Sequence, residues 1–92
     1  MRDKVTEDER KYIKDNILEP LSKDVDKLKL FQTMERGKLM LETSIQRLNF
    51  DRSLYEVRLD VFRETNDTGW QVSIQARPKD CDDPVGMNVR IS

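Results

Sequence analysis

The chain has 92 residues, 38% of them charged and 36% hydrophobic, with a formal net charge of −1 and no histidine. That length fits one domain with a single core, and the near balance of cationic and anionic side chains offers no global field to attract nucleic acid or an acidic membrane. Apolar runs reach only three residues, as at Leu39-Met40-Leu41, which excludes a membrane span and a signal-peptide core within the sequence, so a cytoplasmic protein is expected.

Thr6-Glu7-Asp8-Glu9 has the spacing of a capping box, a hydroxyl followed three residues later by a glutamate, and predicts a helix start. Ile13, Ile17, Leu21, Val25 and Leu28 then recur at steps of four and three, widened by Tyr12, Leu18 and Phe31, so one face is apolar to about Gln32. Pro20 interrupts this stripe without changing its phase. It predicts either one kinked helix or a second helix with Pro20 in its first turn. Leu18, Leu21, Val25 and Leu28 also fit heptad a and d positions, but about two heptads are too few for a coiled coil, and a stripe packed on the chain's own sheet is favoured.

Arg36-Gly37 reads as a helix stop, and Lys38 to Leu48 is ambiguous. Helical spacing selects Met34, Leu41, Ile45 and Leu48, whereas strand spacing selects Leu39, Leu41, Thr43 and Ile45. The following hairpin tips the balance towards a strand. Antiparallel pairing with Leu54 to Arg63 sets Leu41 opposite Val61, Thr43 opposite Leu59 and Ile45 opposite Val57, leaving Met40 against Phe62 and Leu48 against Leu54 on the outer face. Against it, Glu42 would face Asp60, and the turn Phe50-Asp51-Arg52 lacks glycine.

Leu54 to Arg77 contains the clearest pattern in the sequence. Tyr55, Val57, Leu59 and Val61 alternate with Glu56, Arg58 and Asp60, and Trp70, Val72, Ile74 and Ala76 alternate with Gln71, Ser73, Gln75 and Arg77. Asn66, Asp67, Thr68 and Gly69 supply the turn of a β-hairpin. Parity demands that odd inward positions meet even ones, because a slip of one residue turns an apolar row to water. The expected register is Val61 with Ile74, Leu59 with Ala76 and Thr65 with Trp70.

Pro78 to Pro84 is a loop, and Val85, Met87, Val89 and Ile91 form a last strand with Val72 opposite Val89 and Ile74 opposite Met87. The expected fold is one α+β domain over 1–92, helical over 6–33 and sheet over 38–92. An N-terminal amphipathic helix, kinked or split at Pro20, covers one face of a four-stranded antiparallel meander. The alternative is two helices followed by a three-stranded meander.

Chemistry is sparse. Cys81 is the lone thiol, and with Asp80, Asp82 and Asp83 beside it an exposed loop position and a raised thiol pKa are expected, the reverse of what a nucleophile needs. The same aspartates lack the glycine and distal glutamate of a calcium loop, so a solvated acidic loop is favoured over a metal site. Arg58, Arg77 and Arg90, with Arg47 at the margin or turned inward near the strand end, share the outer sheet face with Ser44, Gln46, Ser73, Gln75 and Asn88. Only Phe62 among the aromatics falls there, too few for base stacking. No phosphate loop, nucleophile elbow or zinc spacing occurs. No catalytic residue, cofactor or metal is assigned.

These residues point to a non-enzymatic protein-interaction domain, a small regulator or inhibitor that docks on a partner protein, with self-association into a homo-oligomer compatible with its small core. Met40, Phe62, Leu48 and Leu54 are the expected interface. The alternative function is a small-molecule site between helix and sheet walled by Tyr12, Tyr55 and Trp70.

Overall fold

The computed structural model describes residues 2–31, 33–63 and 69–91. A first helical run begins with α1 (Glu7–Ile13), widens into a π turn (Lys14–Leu18), continues as α2 (Glu19–Val25) and tightens into a 3₁₀ turn (Asp26–Leu30). The capping box closes as expected, with Glu9 N–H donating to Thr6 Oγ1 at 3.1 Å and Thr6 N–H to Glu9 Oε1 at 2.9 Å. Pro20 sits in the first turn of α2, directly after the π turn. Proline has no N–H for the i−4 carbonyl and its ring crowds it; the extra residue of a π turn absorbs both effects without breaking the run. Ile13, Ile17, Leu21, Val25 and Leu28 are consequently all fully buried along one face.

Lys38 to Leu48 is not a strand: Met34–Arg47 is helix α3, capped by Thr33, whose Oγ1 accepts from Arg36 N–H at 3.3 Å. The sheet therefore has three strands, and the two-helix alternative is the fold. Glu35 in the first turn and Arg47 in the last suit the helix dipole. At the far end Arg52 reaches back and donates to the carbonyls of Ile45, Gln46 and Leu48 at 2.8, 3.0 and 3.3 Å, satisfying groups that a helix end leaves open. Its guanidinium also lies 4.4 Å over the Phe50 ring. Gly37, expected to stop a helix, lies inside the first turn of α3 and is buried, because a Cβ there would stand 2.9 Å from Leu28 Cδ2.

Strands β1 (Tyr55–Arg63), β2 (Trp70–Pro78) and β3 (Val85–Ile91) form an antiparallel sheet in sequence order. The β2–β3 register is the expected one, with Val72 opposite Val89 and Ile74 opposite Met87. Between β1 and β2 the parity holds but the register moves by two residues: Val61 meets Val72, Leu59 meets Ile74 and Trp70 meets Arg63. The expected register would have paired Tyr55 with Asp80, a loop residue whose carboxylate and carbonyl are both held by Arg2. The observed one pairs Tyr55 with Pro78 and keeps the ladder clear of the loop. The turn at Asn66, Asp67 and Thr68, and the position of Thr65, lie outside the described residues. Both helices pack on the same side of the sheet, where Trp70, Val72, Ile74 and Ala76 of β2 are buried, and the other side is bare of any described element.

Candidate functional site

The expected interface does not assemble as two outward strand pairs, because two of its four members belong to α3 or its cap. Met40 and Leu48 are half-buried against the core, whereas Phe62 stands 38% exposed on the outer sheet face opposite Gln71. Leu54, 57% exposed, precedes β1 and accepts from Lys79 N–H at 2.9 Å. Arg47, placed at the sheet margin by the strand assignment, is the last residue of α3. Among the remaining arginines, Arg77 pairs with Glu56 at 3.0 Å and donates to the Cys81 carbonyl at 2.8 Å. A shallow depression of about 320 Å³ beside them is lined by both signs of charge, Glu56, Arg58, Arg77 and Asp82.

Tyr12 and Tyr55 stack with ring centroids 4.7 Å apart and planes 14° from parallel. The Tyr12 hydroxyl accepts from Asp51 N–H at 2.9 Å, so this pair ties α1 to the α3–β1 connection. Ring contact fills the space between these two residues. Trp70 lies elsewhere, buried under Gly37 with its ring carbons 3.4 and 3.5 Å from where a Cβ would stand.

The acidic loop is not open. Arg2 and Cys81 form a parallel bridge, with Arg2 N–H donating to the Asp80 carbonyl at 2.8 Å and Asp82 N–H to the Arg2 carbonyl at 2.9 Å. Cys81 is thereby 0% exposed, in contrast to the solvent-facing thiol expected from its neighbours. Strand-like alternation explains this: Asp80 and Asp82 point to water while Cys81 turns inward. Asp83 accepts from Val5 N–H at 3.2 Å, and among the described residues no acidic or sulfur cluster has the arrangement of a metal site.

The Arg2 guanidinium joins Glu9 at 2.6 and 2.7 Å to Asp80 at 2.8 and 3.1 Å. Its hydrogen bonds, followed by that from Thr6 N–H, push the Glu9 carboxyl down to about 2. The folded value lies below the unfolded one, so this contribution to stability is complete above the ordinary value of 4.5 and is lost as pH falls towards 2. Glu9→Gln should lower stability at neutral pH and flatten the acid limb of a melting-temperature profile over that window. Asp80, lowered by the same guanidinium, should keep part of the slope. Parallel profiles for the two proteins would show that the Glu9–Arg2 pair does not couple to folding.

One feature was not legible in the residue patterns. A groove of about 500 Å³ runs between the first helical run and the outer edge of β3, lined by Arg10, Lys14, Leu18, Glu19, Val85 and Met87 among others. Among the described residues β3 pairs only with β2, and Val85, Gly86 and Met87 line this opening. Alternation in Val85 to Ile91 signals a strand but not its position at an edge. The chain matches no protein-family profile, and no characterised protein or solved structure is significantly similar to it.

Proposed function

We propose that this is a non-enzymatic docking domain that recognises a protein partner by strand addition at the edge of β3. The observation that supports this is the lack of blunting on that edge. Proteins guard free strand edges with proline, lysine, bulges or frequent charge. The seven residues of β3 contain one charge, Arg90, and no proline, lysine or break in the ladder, whereas β1 at the opposite edge carries Glu56, Arg58, Asp60 and Arg63. An added strand gains main-chain hydrogen bonds, and the groove beneath half-buried Met87 gives its inward side chains an apolar floor at Leu18 and Val85. A regulator or inhibitor working by this contact needs no catalytic group.

Met87→Lys tests this. The side chain is half-buried at the groove, so its ammonium can reach water in the free domain, but an added strand would trap it. The variant should fold, while its binding to partners captured from the native host, or to itself, should weaken about tenfold or more. Undiminished binding by a folded Met87→Lys protein would overturn the proposal.

A further inference from the structure

The geometry points to a second copy of this chain as the strand that β3 accepts, paired antiparallel about a two-fold axis through Asn88; this rests on the docking function proposed above. In an isologous antiparallel pair the inner rows of both copies stay on the helix side only if the axis passes through a residue and not between two. Among such axes, the one at Asn88 uses all seven residues of β3. It sets Val85 against Ile91, Gly86 against Arg90, Met87 against Val89, and Asn88 against itself. No like charges oppose one another, and each Arg90 meets a glycine that leaves room beside it. The half-buried Met87 and Val89 cover each other across the new ladder.

The helix layer carries the same symmetry. The first helical run follows the direction of β3, since Arg10 near its start lies 3.9 Å from Asp83, just before β3, and its closing 3₁₀ turn also contacts β3. Along the side that lines the groove, Arg10 and Lys14 come first and Leu18, Glu19 and Ser22 follow. This row is basic at its start and carries its one acid, Glu19, farther along. A two-fold reverses one row against the other, so the basic starts of the two copies lie at opposite ends of the joint and do not face each other. The product is a continuous six-stranded sheet with the helices of both copies on one side.

Sedimentation of the wild type should reveal a reversible dimer. Asn88 is exposed on the outer sheet face, so Asn88→Asp and Asn88→Lys should each fold. Each places like charges directly opposite and should raise the dissociation constant about fivefold. Mixing the two variants should restore a mixed dimer at least as tight as the wild type, a result that only a self-facing position gives. Opposed residues of an antiparallel pair are close enough for a disulfide, so Asn88→Cys should cross-link on mild oxidation while the wild type, with Cys81 buried, should not. A wild type that stays monomeric, or a dimer indifferent to all three substitutions, overturns the inference. If the wild type is monomeric but Met87→Lys still abolishes capture of a host protein, self-pairing falls and the docking function stands; if Met87→Lys changes nothing, both fall.

Discussion

Trp70→Ala should cost about 3 to 5 kcal/mol, the usual penalty for deleting a buried aromatic. A domain of this size holds about 5 to 15 kcal/mol in total, so the variant should sit near the edge of unfolding at room temperature. The size of the effect follows from where the ring lies. Trp70 opens β2, is 3% exposed, and wedges under Gly37 of α3, where Leu28 of the 3₁₀ turn also approaches, so one side chain lies where the sheet meets both helical segments. Because this is the only tryptophan, the check is urea unfolding followed by circular dichroism, with a lower midpoint and an unchanged slope. A loss below about 1 kcal/mol would mean that the ring is a replaceable surface, as expected for the wall of a ligand pocket and not for a wedge.

The parts of the fold that were legible in the sequence are those encoded locally. Thr6 and Glu9 satisfy each other's backbone neighbours within one turn, and the β2–β3 register follows from parity and a loop bounded by two prolines. The β1–β2 register was legible only to within its parity. Any loop of even length keeps both apolar rows inward; the observed register ends the ladder at Pro78, short of Asp80, which Arg2 holds from the other end of the chain.

Lys38 to Leu48 misled for a different reason. Leu41 and Ile45 are four apart, a spacing in phase with a period of two and nearly in phase with 3.6, so the two strongest apolar positions carried no information on type. Met40 and Leu48 did carry it. Parity forced both onto the wet side of a strand, where they resembled a docking patch, but on α3 and at its cap they half-bury against the core. Their unexplained exposure was thus evidence against the strand and not evidence for a partner. Phe62 differs, since it remains outward on β1 in the structure as in the sequence. Cys81 was misplaced because its flanking aspartates were read as a solvated run, and nothing local reveals that Arg2 adds a bridge alongside it.

Gly37 supplies the sharpest test of how α3 docks. In a helix, Gly→Ala ordinarily gains about 1 kcal/mol, but here the new methyl would stand 2.9 Å from Leu28 Cδ2, and Leu28 is fully buried with little freedom to retreat. The two effects should nearly cancel in Gly37→Ala. Gly37→Val adds further volume to the same contact and should lose about 1 to 3 kcal/mol by overpacking. Leu28→Ala alone should cost about 2 to 5 kcal/mol. Combined with Gly37→Ala it should cost less than the sum of the two, by at least about 0.5 kcal/mol, because the methyl at 37 enters the space that the leucine leaves. That coupling separates close packing from a conformational requirement. The backbone at Gly37 has no positive φ, so alanine meets no local strain, and a helix-stop role would make the penalty independent of Leu28. Additive urea midpoints across the four proteins would place α3 farther from the 3₁₀ turn than the 2.9 Å approach requires.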